Sequence, residues 1–476
     1  RLSGTPPRQP LHPRAAKMVA CSTLLAPLLL AGAGTTAWLR WLAGAGSAAK
    51  PVTVVTLSAD GPGAAGKPGL RAKPRAAPDA DAWDPLRQIL QGWEFTTEYA
   101  VSVGTVEHGR LFTYESGKFK MATQIPTGST SKWPSAMMFA GLVNDGTVGS
   151  LDDPVYKYLP WWTRDPKDLR SSVTFRMLLS FTSGFGGGHP GEEMNSRAAR
   201  QWRLAHNVSK APRRGLVEAL AAEAGPRAAS KCDQAKGDIT ECAKSIYENV
   251  QLIGQPGKVY SYNSNHLQLA AAVAVATTGL DIQQVIAKYL LQPYGMSKSF
   301  YMGKCPDFGG SLVTTGDDYE RFLAGLAGYR TLAKPIVDAS EEDSTPFMSG
   351  IYTLYGDYGF GHFLMCFDSV GGFTERCRQD MCHMDPGAFG FIPIIDRKNG
   401  YYMQVVAAEI TPTGSYPLSG IPEYLAVAIK PHIDAIISAR PLSPGAHLTH
   451  SPELLSLSVA DVNYCLNCKL HPDRCS

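Results

Sequence analysis

Residues 125–146 read IPTGSTSKWPSAMMFAGLVNDG. Small polar residues come first. Met137, Met138, Ala140, Gly141, Leu142 and Val143 then bring apolar side chains at mixed helical spacing. This predicts a loop ending at Gly128 and a buried helix running to about Asn144, with Ser129 in the first turn. Lys132 is three residues on, so it lies over the same face. A serine needs a base to become a nucleophile, and a neighbouring amine serves if burial keeps it partly neutral. The helix N-terminus adds partial positive charge and free N–H groups where an oxyanion would form. The spacing alone is a weak signal, and on it the simpler reading is that Ser129 caps the helix.

The chain around this stretch has 476 residues, 44% of them hydrophobic, enough for a substantial core. Its charge is unevenly spread. Residues 1–75 hold ten of the 45 Lys and Arg residues and one of the 42 Asp and Glu. The remainder therefore carries 35 basic and 41 acidic residues, a net of −6. A mildly acidic body gives no nucleic-acid footprint.

Met18 fits a translation start, with residues 1–17 upstream of it. Residues 19–39, VACSTLLAPLLLAGAGTTAWL, are largely apolar and precede Arg40. They read as a signal peptide or a membrane anchor within residues 1–43, which points to the secretory route, secreted or membrane-anchored. Residues 44–82, rich in Ala, Gly, Pro and Lys, read as a disordered linker. The folded body is expected over 83–438, followed by a Pro- and Cys-containing tail over 439–476. Of ten cysteines, Cys21 lies in the apolar segment. Cys232, Cys242, Cys305, Cys366, Cys377, Cys382, Cys465, Cys468 and Cys475 cluster in loops, which favours disulfides on a secretory route. Cys232 and Cys242 are spaced to close a small loop. The tail's Cys465-x-x-Cys468, Cys475 and His471 fit no zinc pattern well, and nothing calls for a metal or cofactor. Asn207-Val208-Ser209 is a glycosylation sequon, usable in a secreted protein.

Along the body, residues 99–114 alternate around a turn at His108-Gly109, a β-hairpin. Residues 185–255 read as a long, mostly helical insertion. An apolar helix is expected over Leu267–Ala276 and another after Thr315. Residues 358–367, 387–396 and 401–409 read as strands, and 424–438 as an amphipathic helix.

Several stretches in order carry a resemblance. They are Gly128-Ser-Thr-Ser-Lys132, Leu151-Asp-Asp-Pro154 with Tyr158-Leu-Pro160, Leu178-Leu-Ser-Phe-Thr-Ser-Gly184, Pro256-Gly-x-x-Tyr-x-Tyr262, Pro293-Tyr-Gly-Met296, Gly309-Gly-x-x-x-Thr-Thr315 and Gly387-Ala-Phe-Gly390. Over about residues 90–438 the chain resembles the serine β-lactamase-related family: class C β-lactamases, D-alanyl-D-alanine peptidases and esterases of the same fold. The resemblance implies an α+β architecture. The N- and C-terminal parts make an antiparallel sheet flanked by helices, a mainly helical region is inserted between them, and the site lies in the cleft. Ser129 matches the nucleophile, Lys132 its partner, and Tyr262 the tyrosine that shuttles the proton with the lysine.

Two positions depart from the family pattern. Position 264 is Ser where Asn is common; Ser264 can hydrogen-bond Lys132 or substrate, but lacks an amide's paired donor and acceptor. Where lactamases carry Lys-Thr-Gly, this chain has Asp385-Pro386-Gly387. Pro386 is tolerable there if the strand is a sheet edge. Gly387 would let substrate approach the backbone, and the Ala388 N–H would be the second oxyanion donor. Asp385 in a wet cleft would repel a substrate carboxylate, and His383, on the same strand face, could partly restore a cation. The leading expectation is a serine hydrolase acting on a small-molecule or peptide ester or amide. The alternatives are a non-catalytic binding protein and a true β-lactamase.

Overall fold

The computed structural model describes residues 76–94, 96, 98–186, 232–347, 355–365, 382–408 and 421–439. Helix α1 (Asp84–Gln91) precedes strands β1 (Tyr99–Thr105) and β2 (Gly109–Glu115), the expected hairpin. Then come β3 (Ile125–Pro126), helix α2 (Lys132–Asn144), α3 (Ile239–Asn249) and α4 (Asn265–Thr278). Strands β4 (Phe300–Tyr301) and β5 (Leu312–Thr314) pair with β3 in a small three-stranded sheet. Helix α5 (Gly316–Ala327) leads to β6 (Tyr355–Tyr358), β7 (Phe363–Met365), β8 (Cys382–Met384), β9 (Phe391–Asp396) and β10 (Tyr401–Ala407). Helix α6 (Ile421–Ser438) follows.

The main sheet has seven strands in the order β2-β1-β10-β9-β8-β7-β6, with every neighbouring pair antiparallel. Strand β1 runs against β10 from Tyr99↔Ala407 to Thr105↔Tyr401, so the two ends of the domain meet at the sheet. The period-2 pattern of β1 feeds two cores. Tyr99, Val101 and Val103 pack with Leu86, Leu90, Ile429 and Ile433 of α1 and α6. Ala100 joins the larger core on the other face, with Trp133, Phe139 and Leu269 of α2 and α4. The architecture is the α+β one expected from the sequence.

Helix α2 explains its mixed apolar spacing. Eleven of its 13 residues, Lys132 through Leu142, are buried, so no face needs to be polar. Pro134 sits in its first turn, where a missing N–H costs no helix bond. A 3-10 turn over Gly128–Ser131 leads into it and carries Ser129.

Two expected strands are shorter than the sequence pattern suggests. Residues 358–365 fold as the end of β6, a turn at Gly359–His362, and β7, and residues 366–367 lie outside the described residues. Residues 387–390 belong to a turn before β9, in which the Gly387 N–H donates to Phe391 O at 2.8 Å and the Gly390 N–H to Gly387 O at 2.9 Å. The edge expected for Pro386 is corrected too: β8 is interior, between β9 and β7. Pro386 is tolerated because it lies beyond the strand's last residue, Met384. Cys232 and Cys242 form the expected disulfide. Residues 19–39, Asn207 and the cysteine-containing tail lie outside the described residues.

Candidate active site

Ser129 is partly exposed at the mouth of the 3-10 turn, while Lys132 is 4% exposed. Lys132 Nζ donates to Ser129 Oγ at 3.0 Å and to Gly309 O at 2.7 Å. It also lies 4.4 Å from the centroid of the Tyr262 ring, over its face. Three segments far apart in sequence therefore converge on one amine.

Each segment is fixed by its own chemistry. The Gly309 peptide is oriented by Asp307, whose Oδ1 accepts the Gly309 N–H at 2.9 Å. Ser264 presses against the same glycine: a Cβ built on Gly309 would lie 2.2 Å from Ser264 Oγ. Ser264 thus stands beside the residue whose carbonyl holds Lys132. The Tyr262 segment is buttressed by the Leu178–Gly184 stretch. The Ser261 N–H donates to Phe181 O at 3.1 Å, and Ser183 Oγ lies 2.8 Å from His266 Nδ1. His266 Nε2 lies 2.8 Å from Ser261 O. Burial pushes the His266 imidazole down to about 4, so at neutral pH it is an uncharged strut. Phe181, a non-glycine residue at φ 60°, stacks on His266 with centroids 5.0 Å apart. Such strain is tolerated where packing over-determines it. The Tyr262 ring also stacks on Phe363 at 5.8 Å.

The remaining family stretches are scaffold. Asp152 binds Arg176 through two oxygens, at 2.6 and 3.0 Å. Tyr158 Oη donates to Asp153 Oδ2 at 2.5 Å and accepts from the Gly149 N–H at 2.8 Å. Thr315 caps α5 by accepting the Asp318 N–H at 3.1 Å.

The third motif is placed differently from the sequence expectation. Asp385 is 0% exposed and points inward, where its Oδ2 accepts the Trp133 N–H at 3.0 Å. It does not meet a substrate in a wet cleft. Burial pushes its carboxyl well above the usual carboxylate range, while nearby Lys132 and the Trp133 N–H pull the other way. His383 supplies no cation either. It is 1% exposed, with Nδ1 3.2 Å from His362 Nε2 and Nε2 3.5 Å from Glu341 Oε2. Burial and the nearby Arg397 push it down to about 3. Gly387 leaves no room for substrate at its Cα. A Cβ there would lie 2.1 Å from Thr127 O and 2.3 Å from Thr130 Oγ1, so its close approach is to the nucleophile's own turn. Ala388 lies next to the turn that carries the nucleophile. Its N lies 3.5 Å from where a Cβ on Gly128 would be, beside the Ser129 turn.

The β-lactamase family model matches residues 91–391. The chain belongs to the β-lactamase family, a family of hydrolases. No curated protein matches this family member. Among solved structures it is similar to a putative β-lactamase from Bacteroides dorei, at 21% identity and TM-score 0.53, over 75% of this chain and 99% of that one. It is also similar to simvastatin synthase from Aspergillus terreus, at 14% identity and TM-score 0.51, over 76% and 98% of the two chains. The hydrolase EstCE1, described as having promiscuous acyltransferase activity, matches at 14% identity and TM-score 0.50, over 72% and 97%. These likenesses establish the β-lactamase fold.

Sequence reasoning missed the Gly309 carbonyl, the Asp307 that aims it, and Thr130. The paired glycines at 309–310 were the available signal, read only as part of a family stretch. Another missed support is Gly361, at φ 70°, where a Cβ would lie 2.4 Å from Lys132 O. Gly361→Ala in this β-lactamase family member should therefore destabilise by about 1–3 kcal/mol, through a left-handed backbone and a backbone clash together. Urea unfolding of the variant checks this; an unchanged midpoint would refute it.

Proposed function

We propose that this protein is a serine hydrolase forming an acyl-Ser129 intermediate on neutral ester, amide or peptide bonds. The observation that carries the reading is the pair of Lys132 contacts: Nζ at 3.0 Å from Ser129 Oγ and 2.7 Å from Gly309 O. When the amine is neutral, one N–H is held by the Gly309 carbonyl, and the lone pair is free to take the Ser129 proton. Ser129 Oγ then attacks the substrate carbonyl carbon, and the C=O π pair moves to oxygen. That oxyanion is met by the N–H groups of Ser129 and Ala388. As the tetrahedral centre collapses, the bond to the leaving group breaks. Lys132, with the Tyr262 hydroxyl as relay, returns the proton to the departing oxygen or nitrogen. Water repeats the sequence on acyl-Ser129 and releases the acid.

The inward Asp385 supports neutral substrates over penicillins, because the side chain at the lactamase lysine position is withdrawn from the cleft. Asp385→Lys should therefore not gain carboxylate-bearing substrates; it would place an ammonium in a dry site and destabilise the fold. The disulfide and the apolar 19–39 segment support a secretory route.

The test is covalent labelling of the purified full chain by a fluorophosphonate. The wild type should be labelled and Ser129→Ala should not. Equal labelling of the two proteins would remove Ser129 as nucleophile. The ratio of kcat/KM for a neutral ester to that for its carboxylate-bearing analogue should exceed one; a ratio below one would overturn the substrate class.

A further inference from the structure

We infer that Asp385 is a positioning residue: by accepting the Trp133 N–H, its carboxyl holds the turn that carries Ala388 in register with Ser129. The inference rests on the reading of Ser129 as nucleophile and Ala388 as oxyanion donor, and deepens it.

The argument starts at the beginning of α2. The first N–H groups of a helix have no partner within the helix and need one from elsewhere. Ser131, at the cap position, makes no side-chain hydrogen bond to the helix's first N–H groups; its hydroxyl donates instead to Gly128 O at 2.6 Å. Pro134 has no N–H to satisfy. The Trp133 N–H is buried and is met by Asp385 Oδ2 at 3.0 Å, from 252 residues away in sequence. Two further contacts join the same two segments. Thr130 Oγ1 lies within hydrogen-bond reach of both Asp385 O, at 3.0 Å, and Phe391 O, at 2.9 Å. Gly387 packs flush against Thr127 O and Thr130 Oγ1. All three contacts tie residues 385–391 to residues 127–133. Ala388 is carried by the first segment and Ser129 by the second. Oxyanion donors act only when their separation from the nucleophile is held to a fraction of an ångström. This joint sets that separation.

The carboxyl is used here as an acceptor, not as a charge. The groups facing it are Lys132 and the phenols of Tyr301, Tyr319 and Tyr358. A protonated carboxyl still accepts through its carbonyl oxygen, as a side-chain amide does. Asparagine should therefore replace Asp385, and alanine should not.

The experiment measures fluorophosphonate labelling of Ser129 in the full chain, split into kinact and KI. The proteins compared are the wild type, Asp385→Asn, Asp385→Ala and Thr130→Val. Asp385→Ala and Thr130→Val should each lower kinact by about 10- to 100-fold, the scale expected of a slightly misplaced catalytic group, with little change in KI. Asp385→Asn should recover most of the lost rate and keep the wild-type acid limb of the pH profile. If Asp385→Ala fails to fold, Thr130→Ser against Thr130→Val gives the same contrast, with the hydroxyl restoring the rate. The inference is overturned if Asn is as slow as Ala, if the loss lies in KI, or if Asp385→Asn moves the acid limb. The last result would make Asp385 the charge partner of Lys132. A wild type that is not labelled removes the nucleophile reading along with this inference; a labelled wild type matched by Asp385→Ala removes this inference alone.

Discussion

Lys132→Ala should slow acylation of Ser129 on the order of 10³-fold or more, Tyr262→Phe by about 10²-fold, and the double variant no further than Lys132→Ala alone. The geometry makes this a strong test. The amine reaches Ser129 Oγ and lies over the Tyr262 ring at once. On the proposed proton path the two side chains act as one unit, and removing the amine leaves the phenol nothing to relay. Tyr262→Phe keeps the cation–π contact and the stacking on Phe363 while deleting only the hydroxyl. If the ring alone matters, as a lid that keeps Lys132 dry, Phe will match the wild type and Tyr262→Leu will not. A nitrophenyl ester assay of the three variants decides the matter. Losses that multiply in the double variant would show two independent roles, and the shared proton path would be wrong.

The parts legible in the sequence were those governed by short-range pattern. The β1–β2 hairpin followed from alternation, and the start of α2 from small polar residues giving way to apolar ones. Ser129 and Lys132 share a helix face by simple geometry, so their contact could be read from spacing. Tyr262 was reached only through a family likeness, since no local rule brings residue 262 to residue 132. The third motif failed for a physical reason. Alternation places His383 and Asp385 on one strand face, but does not say whether that face meets solvent or helix. In this sheet β8 is covered, and the start of α2 lies against it. The unpaired Trp133 N–H is what draws Asp385 inward. That demand arises from a helix terminus 252 positions away, and no window of sequence contains both partners. The Gly309 carbonyl was illegible for a similar reason, because a backbone oxygen carries no residue-type signal.

Acid should lower the stability of this protein before its carboxylates titrate in the ordinary range. His266, His362 and His383 are wholly buried, and burial pushes them down to about 4, 3 and 3. In the unfolded chain each takes a proton near 6.5. Between those limits the unfolded state binds more protons than the folded one, so stability falls as pH drops through that window and is flat above it. Three such groups together cost up to about 4 kcal/mol at pH 5.5, a large share of a typical domain's margin. Asp385 and Asp434 act the other way, since burial raises both and each favours the folded state as pH falls toward the ordinary carboxylate range. Their opposition reduces the slope that the buried imidazoles impose. Glu341 offers His383 little rescue by ion pairing. Its carboxylate already accepts from Arg397 at 3.0, 3.1 and 2.6 Å, and the same Arg397 pushes the His383 imidazole down. His362 is closed in by Trp133, stacked at 4.6 Å, and by His383 itself. Urea unfolding at pH 7.5 and 5.5 should therefore show a lower midpoint at the acid value. A His362→Phe variant should show a smaller pH dependence, because the ring stack on Trp133 is kept while one titrating group is removed. A midpoint unchanged between the two pH values would mean that the buried imidazoles accept protons in the folded state. In that case the Trp133 side of the nucleophile helix is wetter than its burial implies.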